Sequence, residues 1–137
     1  LADSGHRQNP AALLLMALQQ DELEPRLTEA LPWLLLHYPN LNWDWLVEQA
    51  KRQNLQNRVG FLVSLAKDLA EKQGAMDVVT TLAHGEDELN AARLAKVDAL
   101  SRRLTAAERQ YFQNNRSTTA KHWNLLTGLT AETLQYA

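Results

Sequence analysis

The residues best suited to chemistry in this 137-residue chain are an arginine and a histidine near its C-terminal end, Arg116 and His122. An imidazole exchanges a proton near neutral pH, and a guanidinium can hold a phosphate through two parallel hydrogen bonds. Five residues separate the two, and Ser117 is placed to cap a helix that carries His122. The pair could act on a phosphodiester if both side chains face one cleft. In the alternative interpretation His122 is structural and lies beside a buried Trp123.

Basic side chains are concentrated in the same part of the chain. Residues 93–122 contain seven Lys and Arg against two acidic residues, a net charge of +5, whereas residues 21–92 contain six against twelve, a net charge of −6. Only the basic part would attract phosphate. The candidate nucleic-acid-binding residues are Arg102, Arg103, Arg109, Arg116 and Lys121. Because the whole chain has a net charge of −2, we expect at most weak, strongly salt-dependent binding. Alternatively, the two halves neutralise each other within the fold or across a dimer.

Four aromatic residues lie within thirteen positions: Trp33, Tyr38, Trp43 and Trp45. Such a cluster can bind a flat ligand, a peptide or a nucleic-acid base. Trp33 and Trp43 share their surroundings with leucines, so both are expected in the core. Trp45 lies on another side of its helix and is expected to be exposed. Together with Leu65 and Leu69, whose helix has more apolar positions than one buried face requires, Trp45 is a candidate partner-binding residue.

Neither a metal site nor a cofactor site is indicated. The chain has no cysteine, and its four histidines are scattered, with only His84 and Glu88 forming a pair at helical spacing. It contains no Gly-rich phosphate loop, nucleophile elbow or dinucleotide-binding fingerprint. We therefore predict no cofactor and no metal, and we expect a non-enzymatic function more than an enzymatic one.

The elements that would position these residues are predicted to be helices. Gly and Pro are few, Leu, Ala, Gln and Glu are many, and no segment alternates as a half-buried strand does. Helix starts are indicated at Asn9-Pro10, Glu24-Pro25, Asn42, Thr105, Ser117 and Thr130. The expected fold is all-α, with about six to eight helices in a compact bundle or a short helical-repeat stack.

Three segments allow more detailed helix predictions. Leu55–Gln73 is amphipathic, and Gly60 within it is placed for the close approach of another helix. Met76–Leu104 is predicted as a helix or a helix pair, with a break at His84-Gly85. Thr118–Leu126 is predicted as one helix.

Length and composition indicate a single helical domain over residues 1–137. The longest apolar run, Ala11–Leu18, is far shorter than the roughly 18 to 20 residues of a membrane span, so we expect no membrane association and a cytoplasmic location. The chain begins at Leu1 rather than Met, and we therefore expect it to be a fragment of a longer protein.

Four phrases of the sequence carry a family resemblance: RLTEALPW at 26–33, NWDWL at 42–46, QNRVGFL at 56–62 and HWNLL at 122–126. They resemble segments from the C-terminal helical domain of bacterial helix-turn-helix, antitoxin-like transcriptional regulators. The resemblance implies a DNA-binding module upstream of Leu1. For the chain itself it implies a sensing or dimerisation domain that contacts a second copy or another protein. No recognition helix is evident, because Tyr111 falls where the turn of such a motif requires glycine.

A second resemblance concerns Arg116 and His122. Their spacing resembles the Arg-x4–6-His motif of HEPN ribonucleases, which are all-helical. This resemblance implies that His122 transfers a proton and that Arg116 holds the scissile phosphate. Ser117 stands where that family usually has Asn, Asp or His. A HEPN-like ribonuclease, or an inactive relative of one, is therefore the alternative function.

Overall fold

Eight helices follow one another along residues 9–100 and 103–135, which are the residues that the computed structural model describes. The helices are α1 (Pro10–Leu18), α2 (Pro25–His37), α3 (Trp43–Arg52), α4 (Gln56–Lys72), α5 (Met76–Ala91), α6 (Ala106–Asn114), α7 (Thr118–His122) and α8 (Ala131–Gln135). Two short strands, β1 (Asp98–Ala99) and β2 (Leu125–Leu126), pair in parallel. The predicted all-α fold of six to eight helices is confirmed as a compact bundle. Within those two ranges no helix has the length and apolarity needed to cross a membrane.

Capping side chains determine where most of these helices begin. Asn9 accepts a hydrogen bond from the Ala11 amide at 2.9 Å. Thr105 and Glu108 form both bonds of a capping box, at 3.1 and 2.9 Å. The other caps that accept from an amide of the first turn are Asn42, Ser117 and Thr130. Because these bonds are local, the sequence alone was enough to predict the helix starts.

The centre of the bundle is α4, which packs against α1, α2, α3, α5, α7 and α8. Twelve of its seventeen residues are buried. A helix with neighbours on every side needs apolar residues all round, which explains the surplus of apolar positions in this segment. Leu65 and Leu69, predicted to contact a partner, are instead core residues that are only 2% and 1% exposed.

Two glycines of the α4–α5 pair each face a tryptophan ring. A Cβ atom on Gly60 would lie 2.3 Å from the ring of Trp123, and one on Gly85 would lie 2.5 Å from the ring of Trp43. Carbon atoms pack at roughly 3.5 to 4 Å, so only glycine admits either ring. The close approach predicted at Gly60 is present, but its neighbour is an indole ring rather than another helix.

The segment after α5 differs from the prediction. The helix continues through His84-Gly85 without a break and ends at Ala91, so no helix extends to Leu104. The buried side chain of Asn57 donates to the Leu94 carbonyl at 2.9 Å and accepts from the Leu94 amide at 2.8 Å. Both backbone groups that a helix would use are thereby satisfied by a residue far away in the sequence.

The predicted helix over Thr118–Leu126 is also shorter than expected. α7 ends at His122, and Asn124 adopts a left-handed backbone conformation with φ of 57°. Asn tolerates this conformation better than most residues, and it turns the chain out of the helix. The residues that follow form β2 and pair with β1.

Candidate functional site

α1 carries no charged residue, and the bundle covers only one side of it. Its buried residues are Ala11, Leu14, Leu15 and Leu18. On the opposite side Met16 is 55% exposed, and Leu13 and Ala17 are partly exposed. A helix that is apolar all round is normally covered all round. Within residues 9–100 and 103–135, nothing covers the outer side of α1, which is therefore an exposed apolar surface.

This side of α1 faces α2 across an apolar groove of about 860 Å³, called here the α1–α2 groove. From α2 it is lined by an apolar stripe that includes Leu27, Leu31 and Leu34. Leu27 is 52% exposed, and Tyr38 at the end of α2 is 49% exposed. None of the described residues that line the groove is Asp, Glu, Lys or Arg, and its ionisable lining residues are His37 and Tyr38. The groove is thus a large, accessible and mostly apolar surface.

Of the aromatic cluster, Trp33 and Tyr38 line the α1–α2 groove. Trp43 is half-buried against the core, and its indole nitrogen donates to the Pro39 carbonyl at 2.8 Å. Trp45, predicted to be the exposed aromatic, is likewise half-buried and packs against the core. Within this cluster of four aromatic residues, Tyr38 is the most exposed. The signal that could have located the groove is the uncharged sequence of α1.

Arg116 and His122 have different surroundings. The guanidinium of Arg116 donates to the Leu125 carbonyl at 3.0 Å, and its Nε is buried without a hydrogen-bond partner. His122 is exposed, with Nε2 at 2.6 Å from Asn90 Oδ1 and Nδ1 at 3.0 Å from a guanidinium nitrogen of Arg93. Because a guanidinium only donates and an amide oxygen only accepts, the two ring nitrogens are placed to accept from Arg93 and to donate to Asn90. Both side chains thus hold the C-terminal segment in place.

Two of the candidate nucleic-acid-binding residues, Arg103 and Arg109, line one cleft together with Arg58. The cleft is not purely basic, because Asp21 and Asp98 also line it. Arg58 donates to Asp98 at 2.9 and 3.2 Å, which neutralises that carboxylate and the guanidinium together. This cleft therefore offers less positive charge than the sequence suggested.

The remaining candidates lie elsewhere. Lys121 is exposed on α7, whereas Arg116 is partly buried and bonded to backbone as described above. Arg102 lies outside the described residues. In the part of the chain that the structure covers, no three His, Cys, Asp or Glu side chains are placed to hold a metal ion.

A mostly buried polar network links α4, α5 and the end of α7. Lys67 contacts Glu86 at 2.7 Å, and the hydrogen bond raises the pKa of the lysine. Glu86 also accepts from Ser64 at 2.5 Å, and the Ser64 oxygen accepts from the Trp123 indole at 2.9 Å. The Ser64 hydroxyl is thus occupied on both sides, as expected of a structural residue rather than a nucleophile. Next to this network, burial raises the pKa of Asp68.

The α1–α2 groove is the largest accessible apolar feature among the cavities described here, and its identification depends on geometry alone. No family model matches the sequence, and neither a curated protein nor a solved structure matches it.

Proposed function

We propose that this chain is a non-enzymatic protein-interaction domain that pairs with a second copy of itself through the α1–α2 groove. The observation that carries this proposal is the exposed apolar groove beside a helix without a single charge. Exposed apolar surface is unfavourable in water, and covering it is the main driving force of association.

The absence of Asp, Glu, Lys and Arg from the described lining favours a second copy as the partner. In a twofold dimer the centre of the surface meets itself, so any charge there would oppose a like charge. The described lining of the groove contains no Asp, Glu, Lys or Arg that would face its own copy. It also presents projecting side chains, Met16 and Leu27, next to the space that could receive those of the partner.

Self-association of this kind suits a regulatory domain. In a bacterial, cytoplasmic transcriptional regulator of the type that the four sequence phrases resemble, a dimer of this domain would bring two DNA-binding modules together. The net charge of −2 and the compensated arginines of the Arg58 cleft support only weak contact of the domain itself with nucleic acid. The ribonuclease alternative has less support, because Arg116 bonds to Leu125 whereas His122 bonds to α5.

Sedimentation equilibrium of the chain from tens to hundreds of micromolar tests the proposal. Full burial of a methionine contributes about 1.5–3 kcal/mol, and Met16 still has 55% of its surface to bury. Loss of that contact in both copies by Met16→Glu should cost about 2 kcal/mol, or roughly thirtyfold in the dimer dissociation constant.

Met76→Glu is the matched control, because Met76 is 59% exposed and does not line the groove. It should leave association unchanged. A wild-type chain that stays monomeric throughout this range, or equal effects of the two substitutions, would refute pairing through the groove.

A further inference from the structure

A second apolar cavity lies under α6. Its volume is about 280 Å³, and its walls come from the start of α2, from both strands, from α6 and from the segment after β2. Leu100 and Leu126 line it as buried residues, 4% and 2% exposed, while Leu104, Phe112 and Leu129 line it as partly exposed ones. The cavity shares no lining residue with the α1–α2 groove. It is therefore a separate site.

α6 covers this cavity without belonging to the core. None of its residues is buried, and it lies against β2. Phe112 reaches Gly128, where an added Cβ would stand 3.2 Å from the phenyl ring. The ends of the helix are stabilised locally, by the capping box at its start and by the Asn115 side chain, which donates to the Tyr111 carbonyl at 2.9 Å. Apolar contact on the inner side of α6 is thus limited to partly exposed residues such as Phe112.

Among the described residues that line the cavity, Glu29 of α2 is the only ionisable one. The hydroxyl groups of the lining already have intramolecular partners: Thr28 with the Glu24 carbonyl, Thr127 with the Leu129 amide, and Thr133 with Thr130. The half-buried Glu29 carboxylate, in contrast, has no hydrogen-bond or ion-pair partner within residues 9–100 and 103–135. A carboxylate beside apolar walls interacts strongly with a cation that is brought to it.

We propose that this cavity binds a small apolar amine, with its hydrocarbon body against Leu100, Leu126 and Phe112 and its ammonium group beside Glu29. At about 30 Å³ for each water molecule, 280 Å³ is space for roughly nine or ten non-hydrogen atoms. Apolar walls with one charged group are the usual composition of a small-molecule site. The ligand would add apolar contact on the inner side of α6. Ligand binding and the packing of α6 over the cavity are therefore coupled.

The probe for this site is 2-phenylethylamine, with 2-phenylethanol as an uncharged control of the same size and phenylacetate as an anionic one. Each is titrated at neutral pH into the full chain labelled with nitrogen-15, and amide chemical shifts are followed. We expect saturable shifts in β1, β2 and α6 with the amine. The dissociation constant of the alcohol should be at least about tenfold higher, because the alcohol has no positive charge to pair with the Glu29 carboxylate. The anion should not bind.

Glu29→Gln should weaken binding of the amine about tenfold, to the level of the alcohol, and should leave binding of the alcohol unchanged. Glu24→Gln is the matched control, because Glu24 is an exposed carboxylate next to the same helix end and does not line the cavity. Amide exchange in α6 should slow when the amine is bound. The absence of saturable binding, equal binding of amine and alcohol, equal effects of the two substitutions, or shifts that avoid the cavity would each overturn the proposal. None of these outcomes depends on self-association through the groove.

Discussion

Gly60→Ala should destabilise the domain although alanine is the better helix former. The new Cβ would stand 2.3, 2.4 and 2.7 Å from three carbon atoms of the Trp123 ring, so the ring would have to move by more than 1 Å. Trp123 is only 1% exposed and cannot move into solvent without loss of its packing. Its indole bond to Ser64, at 2.9 Å, would break as well.

The expected cost follows from these contacts. Overpacking of a core contributes about 1–3 kcal/mol, and the lost hydrogen bond contributes about 1 kcal/mol. The higher helix propensity of alanine offsets up to about 1 kcal/mol. The net loss in the free energy of unfolding is therefore about 2 kcal/mol, which corresponds to a fall in Tm of roughly 8 °C for a domain of this size.

Urea denaturation followed by circular dichroism measures this loss, and two further variants identify its cause. Gly74→Ala introduces strain at a φ of 72° and should cost about 1–2 kcal/mol, but its Cβ would meet nothing within 4 Å, so this cost should be the same with and without the Trp123 ring. In a Trp123→Leu background the clash at Gly60 is removed, and Gly60→Ala should become neutral or stabilising. If Gly60→Ala is equally destabilising with and without the indole ring, the steric explanation is wrong.

Three further substitutions have distinct expected outcomes. Asp68→Asn should raise the free energy of unfolding at neutral pH, because burial raises the pKa of this carboxyl and penalises its charged form. In denaturation curves the gain should disappear as the pH falls below the ordinary aspartate pKa of 3.8, where the carboxyl is protonated in both states. Thr105→Ala should cost about 1 kcal/mol, seen as faster amide exchange in α6, because the capping box is lost. His122→Ala should cost at most about 1 kcal/mol, and neither it nor the wild type should cleave RNA. Metal-independent cleavage that His122→Ala abolishes at an unchanged Tm would instead favour the ribonuclease function.

The ion pair of Lys67 and Glu86 should make the free energy of unfolding depend on pH in the alkaline range. Its hydrogen bond raises the pKa of the lysine, so the folded state holds this proton more tightly than the unfolded state does. The stabilisation is complete below the ordinary lysine pKa of 10.5 and is lost as the pH rises through the higher pKa of the folded state. Lys67→Met should remove this part of the alkaline loss of stability in denaturation curves measured on both sides of pH 10.5. An alkaline profile identical to that of the wild type would show that the pair does not contribute.

The helix starts could be predicted because they depend on residues within one turn of each other. Asn9, Asn42 and Thr105 each cap the amides that follow them, as their positions in the sequence indicated. The end of α5 could not be predicted in the same way. It depends on Asn57, which is 37 positions away from Leu94 and satisfies both of its backbone groups.

The apolar patterns of α4 and α1 could not show which residues are buried, for a related reason. The pattern of α4 does not reveal how many helices surround it, so its surplus of apolar residues was interpreted as a partner surface around Leu65 and Leu69. α1 has an equally apolar pattern but is covered on one side only, with Met16 exposed. In both helices the number of neighbouring helices determines whether an apolar residue lies in the core or on the surface. The periodicity of the sequence does not encode that number.

The packing of Trp123 against Gly60 also affects the order in which parts of the chain can fold. The indole bonds to Ser64 across 59 positions of sequence, and the strand that follows pairs with β1. During synthesis α4 and α5 emerge long before Trp123, whose indole ring packs against Gly60 of α4. A nascent chain that stops before residue 123 would expose an empty, apolar slot along its central helix, a state prone to aggregation. The native core is therefore complete only after residue 123 has been synthesised.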